Sequence, residues 1–563
     1  MDSNLLKTKS IEQLVGDAEH GGKALKRTLT ATDLTLLGIG AIIGTGIFVL
    51  TGTAAANQAG PAITISYLAA GLACAFAALC YAEFASMIPI AGSAYTYAYA
   101  TLGEVVAWMI GWDLILEYAV GSMTVAVGWS GYFQRILAGF GVHLPVWMSA
   151  SPWAAEGAAI NLPAAVIVLF ITALLVIGVR ESARFNAVMV AIKLAAVLFF
   201  VAAGFSYVDP GNWSPYMPYG FSGVMAAAAV VFFAYIGFDA VSTTAEEATN
   251  PQRDLPIGII ASLIVCTLLY LVVSAILSGI LPVVEYKDNA QFLMAPVGYA
   301  LAVIDLPWAA GLVSAGAVAG ITSVLLVMLM SQPRIFFAMS RDRLLPAGAS
   351  KVHPRFKTPY VTTIITGVIV SIAAALVPIQ VLGEMTSIGT LFAFMVVCAA
   401  VMMLRLKRPE ARRPFRVPGG FTIPVLGIVS CLYLMLSLPI ATWVRFLGWL
   451  NLGMLIYWFY GRVHSPLVDA REAAARSPLE GFGNFVTVAG ALLLFNGFFM
   501  TILGFMTVFG LTTEELAKWH EIGVTAEQSD RVGLMVLGAG LVTFFLGRLV
   551  AKSGRSADAS ASV

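Results

Sequence analysis

Apolar stretches of roughly twenty residues follow one another along almost the whole chain, separated by short polar connections, and each can cross about 30 Å of hydrocarbon. The stretches are continuous rather than alternating residue by residue, which predicts helices and excludes a membrane β-barrel. Fourteen spans are expected, at 33–57, 62–88, 105–132, 162–179, 185–206, 223–245, 256–281, 306–338, 360–378, 384–405, 421–440, 443–461, 483–510 and 531–550. The eighth is long enough to tilt or to run on into the cytosol. The pattern therefore predicts an all-α polytopic membrane protein.

Composition agrees. Hydrophobic residues make up 59% of the 563 positions and charged residues 11%, against about 25% charged in a soluble domain. Basic residues then set the orientation. With a cytoplasmic N-terminus, the inner segments hold Lys7, Lys9, Lys23, Lys26 and Arg27, then Arg180, Arg184 and Arg253. The clusters 334–357 and 405–416 follow on the same side, with Arg462, Arg471, Arg476, Arg548, Lys552 and Arg555. Arg135, Lys287, Arg445, Lys518 and Arg531 fall outside. Both termini are expected in the cytoplasm, and the two basic, proline-punctuated loops read as topogenic charge. No secretory signal peptide is expected, because about thirty mostly polar residues precede the first apolar run.

Two spans carry breaks. The first contains "GIGAIIGTGIFVL" (38–50), four glycines in thirteen residues, although glycine costs about 1 kcal/mol against alanine in a helix interior. The sixth contains "VVFFAYIGFDAVSTTAEEATNP" (230–251), with Gly237 and Asp239 in mid-span. Five spans separate the breaks, so units 1–5 and 6–10 enter the membrane in opposite senses. Matched broken helices point to a transport site near the midplane. A break leaves N–H groups at the start of one half-helix and carbonyls at the end of the other. The N–H end suits a carboxylate and the carbonyl end an ammonium, so together they fit the head of an α-amino acid. Gly44, Thr45 and Gly46, beside Ile42 and Ile43, are the expected carboxylate donors; Phe233, Ala234 and Ile236 are the expected carbonyl acceptors. The competing reading of Gly40-xxx-Gly44 is a helix-packing motif.

The stretches "GIGAIIGTGIFVLTG", "YAEFASMIPIAGSAYTYAYATLGE" (81–104), "GWDLILEYAVG" (111–121), "FFAYIGFDAVSTTAEEATNPQRDLPIGI" (232–259) and "RDRLLP…KVHPRFKTPY" (341–360) carry a resemblance. Over about residues 25–460 the chain resembles a bacterial member of the cationic amino acid transporter family, within the amino acid–polyamine–organocation superfamily. The resemblance implies the LeuT-type 5+5 inverted-repeat fold with discontinuous helices one and six. It also implies that Lys193 occupies the place where sodium-coupled relatives of the fold hold their ion, near Thr322 and Ser323. Ile321 matches a family position that limits pocket size, which favours small neutral amino acids over arginine.

Lys193 lies about eight residues into span five, roughly 12 Å deep at 1.5 Å per residue. Snorkelling toward the interface is the alternative to a proton-coupling role. Glu117 and Asp113 share one face of span three at i and i+4. Glu117 serves either the substrate side chain or a network between helices. Asp33 is expected to cap the first span, and Glu83, Glu246 and Glu247 to be solvated near cytoplasmic ends.

Other classes are set aside on the sequence. The five cysteines lie inside apolar runs without CxxC spacing, and the five histidines lie outside the spans, so no disulfide framework, metal or cofactor is expected. An enzyme would need a catalytic cluster at depth, and a sensor a soluble output domain. No GxxxxGK[ST] motif encodes ATP-driven pumping. The chain is therefore read as a cytoplasmic segment (1–32), a first repeat (33–206), a second repeat (223–405), spans eleven and twelve (421–461), two extra spans (483–550) and a disordered tail (551–563). Its expected activity is import of L-amino acids with protons across the inner membrane, with exchange as the alternative. The partners are substrate, protons and the bilayer, with no nucleic acid; an accessory subunit is an open possibility.

Overall fold

The computed structural model of the protein describes residues 28–88, 93–152, 154–177, 183–354, 356 and 358–465, with isolated positions at 486, 490, 496, 541–543 and 546. A helix occupies each of the first twelve expected spans. Eight helices among the described residues are long and apolar enough to cross a membrane. Shorter apolar helices at Ala31–Ile42, Leu162–Ile177, Tyr360–Leu376 and Thr422–Leu436 supply the remainder. The eighth span runs from Pro307 to Arg341, about 50 Å at 1.5 Å per residue, longer than the hydrocarbon is thick. Spans thirteen and fourteen, the segment before residue 28 and the tail lie outside the described residues, save for the isolated positions, and so does the Glu246 side chain.

The described residues fall into two compact units, one within Met1–Arg341 and Pro346–Leu438 and the other within Asp342–Leu345 and Pro439–Val563. In the first unit, span two (Ile63–Met87) packs on span seven (Pro251–Ile280), span three (Glu104–Gly139) on span eight, and span four (Leu162–Ile177) on span nine (Tyr360–Leu376). Span five (Ala183–Phe205) packs on eight while span ten (Ile379–Lys407) packs on three. Span one packs on seven while six packs on two. These contacts between the two halves thus recur with the partners exchanged, five spans apart.

Apolar burial cannot hold helices together in lipid, so close approach must do it. Small residues sit at the contacts. A Cβ on Gly316 would lie 2.4 Å from Ala196 Cβ, and one on Gly367 2.2 Å from Thr172 Oγ1. These positions join spans eight to five and nine to four.

Two local readings are corrected. Thr30, not Asp33, caps the first helix: the Thr30 hydroxyl accepts from the Asp33 N–H at 3.4 Å, and Asp33 Oδ2 accepts from the Thr30 N–H at 2.9 Å, a reciprocal capping box. Glu83 is not solvated; it is 1% exposed at the end of span two. Its carboxylate takes a two-pronged contact from Arg405 of span ten, an ion pair with Arg413 Nε at 3.4 Å and the Val417 N–H at 2.8 Å. Arg405 also donates to the carbonyls of Val417 and Gly420. The basic stretch after span ten is thereby wound around one carboxylate.

Candidate functional site: the crossing of two broken helices

The first helix ends at Ile42. Ile43 is extended (φ −74°, ψ 103°), and a π-helical turn resumes at Gly46–Leu50. The first N–H groups at that restart have no preceding helical turn to bond to, while the Phe48 N–H reaches back to the Gly44 carbonyl at 3.3 Å. Span six runs as a helix over Gly220–Val231, tightens to a 3₁₀ turn at Phe232–Tyr235 and extends at Ile236 (φ −61°, ψ 134°). Gly237 then adopts φ +122°, a conformation side chains rarely take. Asp239 Oδ1 accepts the Gly237 N–H at 3.1 Å and holds this break open.

The two breaks touch. A Cβ on Gly46 would lie 2.4 Å from Ala234 Cα, and one on Gly237 would lie 2.8 Å from the Ala41 carbonyl carbon. As numbering rises through 41–46 it falls through 237–234, so the strands of backbone cross in opposite directions. The Tyr270 hydroxyl from span seven lies 2.7 Å from the Ala234 carbonyl and 3.1 Å from that of Ile42. Its single proton serves one of them at a time. The Phe233 carbonyl accepts the Ile236 N–H at 3.2 Å. The carbonyls expected to meet an ammonium are thus partly engaged within the protein, each keeping a second lone pair.

Lys193 comes from span five and is wholly buried. Its ammonium donates to the Gly40 carbonyl at 2.5 Å, the Ile43 carbonyl at 3.1 Å and Ser323 Oγ at 3.1 Å. It does not snorkel; it closes over the carbonyl end of the first half-helix. Gly320 makes room for it, since a Cβ there would lie 2.9 Å from Lys193 Cβ. Thr322, expected beside the lysine, instead accepts a hydrogen bond from Trp129 Nε1 at 2.9 Å.

Ile42, Ile43, Gly44, Thr45, Gly46, Phe233, Ala234, Ile236 and Ile321 are all buried. A cavity of about 270 Å³ reaches Val49, Leu50 and Val230, a turn from the crossing, and continues to Gln134, Asn161 and Gln380. Its lining holds no charged side chain. Asp113 and Glu117 are buried on span three without hydrogen-bond partners among the described residues; Asp113 faces Gly389 of span ten. Neither is hydrogen-bonded to the crossing.

Sequence reasoning missed three tyrosines. Besides Tyr270, Tyr67 Oη meets Thr51 Oγ1 at 2.6 Å and the Gly46 carbonyl at 3.1 Å, and Tyr132 donates to the Phe48 carbonyl at 2.6 Å. A tyrosine inside an apolar run must find its hydroxyl a partner, and a broken helix supplies free carbonyls. That signal was available.

Comparison with known proteins shows the family. The chain is 54% identical to the branched-chain amino acid permease BcaP of Bacillus subtilis (strain 168), over 83% of this chain and 100% of that protein. It is 50% identical to the methylthioribose transporter of the same organism, over 83% and 99%. Identity to the vacuolar cationic amino acid transporter 4 of Arabidopsis thaliana is 38%, over 72% and 68%. The amino acid permease family matches residues 29–460. This multi-pass membrane protein is a transporter rather than an enzyme, and it belongs to the amino acid permease family.

Proposed function

We propose that the protein imports neutral aliphatic L-amino acids with protons by alternating access on a LeuT-type 5+5 fold of fourteen spans, in the inner membrane, with both termini cytoplasmic. The observation that carries the reading is the antiparallel crossing of the two breaks with the Lys193 ammonium seated on one of them. The exchange symmetry of contacts between spans 1–5 and 6–10 supports the inverted repeat.

In this reading a substrate carboxylate meets the N–H groups of Gly44, Thr45 and Gly46, and its ammonium meets the carbonyls of Phe233, Ala234 and Ile236. Binding draws the Tyr270 proton away from Ala234 or shares that carbonyl's second lone pair. Protonated Lys193 braces span five against Gly40 and Ile43; its neutral form keeps at most two N–H donors and releases the brace, letting cargo and proton leave inward. The medium aliphatic Ile321 and the uncharged outer cavity favour neutral side chains, in keeping with the name of the branched-chain relative. Glu117, buried on span three and within electrostatic reach of Asp239 at the span-six break, serves either the substrate side chain or a network between helices.

Proteoliposomes with an imposed pH gradient test the proposal. Leucine, isoleucine and valine should accumulate against their gradients when the outside is acidic, and arginine and methylthioribose should not. Uptake that requires internal amino acid and ignores the pH gradient would mean exchange instead.

A further inference from the structure

We propose that a groove between the start of span seven and the strap after span ten binds an anionic phospholipid of the leaflet on the basic-loop side. The groove, about 650 Å³, is lined on one wall by Arg253, Ile257, Ile260 and Ile264 and on the other by Pro414 and Phe415. The first four fall at i, i+4, i+7 and i+11 and form one stripe of the helix. The stripe runs about 16 Å at 1.5 Å per residue, close to the hydrocarbon depth of one leaflet.

Its two ends differ in chemistry. Arg253 is exposed at the polar end, with Asn250 and Gln252 beside it. Arg412 and Arg416 flank the Pro414–Phe415 wall in sequence and are also exposed. Toward the bilayer, Ile257 and Ile264 are 40% and 55% exposed, and Leu268 continues the apolar surface at 60%. A cationic mouth opening onto an apolar channel of acyl-chain length is complementary to one phosphate head and one chain. Asp254, the nearest acid in sequence, is nearly buried and turned onto the Asn250 N–H at 3.2 Å, so it does not face the mouth.

The strap wall is fixed in place. The Phe415 N–H donates to Ser86 Oγ at 3.2 Å and the Val417 N–H to Glu83 at 2.8 Å, while Arg405 ties the Val417 and Gly420 carbonyls. A rigid wall spares the lipid the cost of ordering a loop. The groove is therefore preformed on span seven, whose Tyr270 touches both breaks.

Native mass spectrometry of the detergent-solubilised full chain titrated with phosphatidylglycerol provides the test. Phosphatidylglycerol should bind, and one bound copy should be lost or weakened about tenfold in Arg253→Gln, the size expected for a charge-assisted contact. Phosphatidylcholine should not compete for that copy, and glycerol phosphate should not displace it. Ile260→Trp, which fills the channel and leaves the charge, should weaken the same copy. Equal binding of phosphatidylcholine, full displacement by glycerol phosphate, or an undiminished count in both variants would each overturn the assignment. Arg253 is exposed, so its removal leaves the fold intact; thermal unfolding without added lipid, equal to the parent, verifies that.

Discussion

Gly46 shows where single residues were legible and where they were not. The density of glycine in span one locates the break, but nothing in a linear sequence reveals which atoms lie a Cβ away. The neighbour at 2.4 Å is the Ala234 backbone, so Gly46 is at once a break residue and a packing residue, and the two sequence readings of span one are not exclusive. Gly44 differs, because the nearest atom to a Cβ there is the Val324 side chain at 3.0 Å. Gly46→Ala should therefore cost the upper part of the about 1–3 kcal/mol typical of overpacking, seen as a lower unfolding midpoint and reduced monodispersity in detergent. Gly44→Ala should stay folded and lose substrate affinity; a parental affinity in that variant removes Gly44 from the site. Lys193 was placed by its depth and by the resemblance, which also pointed to Ser323, but its carbonyl partners required the fold, being some 150 residues away in sequence. Lys193→Ala should abolish accumulation driven by a pH gradient. Lys193→Arg should fail as well, since a guanidinium keeps its proton throughout the working range. Accumulation by either variant, folded and under a pH gradient alone, would make the lysine purely structural.

Helical elements were the most legible level, because twenty apolar residues in lipid leave the backbone few alternatives. Twelve spans coincide with helices, most to within a few residues, the third running seven residues past its expected end to Gly139. What failed was the reading of charges at the ends of elements. Glu83, four residues from the end of its helix, looks solvated until Arg405, 322 residues later, closes on it. Breaking a buried pair from one side leaves the other charge without compensation, at a cost of about 3–5 kcal/mol. Glu83→Gln should lower the unfolding midpoint accordingly and loosen the strap, with faster hydrogen exchange at Phe415 and Val417. Pairing it with Arg405→Met removes the more deeply engaged of the two stranded guanidinium groups, Arg413 keeping the other, so the double variant should be more stable than Glu83→Gln alone. A double variant whose loss equals the sum of the singles would show that the two side chains act independently.

At the scale of the molecule, the exchanged contacts of spans 1–5 and 6–10 and the opposed directions of the two breaks follow from one requirement. That requirement is the one of the proposed inverted repeat: two five-helix units of opposite orientation meet with spans two, three and four packed on seven, eight and nine. Sequence alone carried the number five and the positions of the breaks, but which helices touch depends on packing that apolar composition does not encode. The same parity carries the proposed topology. His143 follows span three and His464 follows span twelve, and both are exposed; nine spans lie between them, so the proposed topology puts them in opposite compartments. In the proposed topology the excess of Lys and Arg puts His464 inside. Two further spans after it would bring position 520 outside and 555 back in, with position 20 inside. The native cysteines Cys74, Cys80, Cys266, Cys398 and Cys431 are all buried, so a single introduced thiol reports its own location. A membrane-impermeant maleimide applied to intact cells should label His143→Cys and His520→Cys and spare His20→Cys, His464→Cys and Arg555→Cys until the membrane is permeabilised. Labelling of positions 143 and 464 from the same side would break the count of nine. The opposite pattern at all five positions would reverse the orientation while keeping the fold, and would turn the proposed importer's inner gate outward.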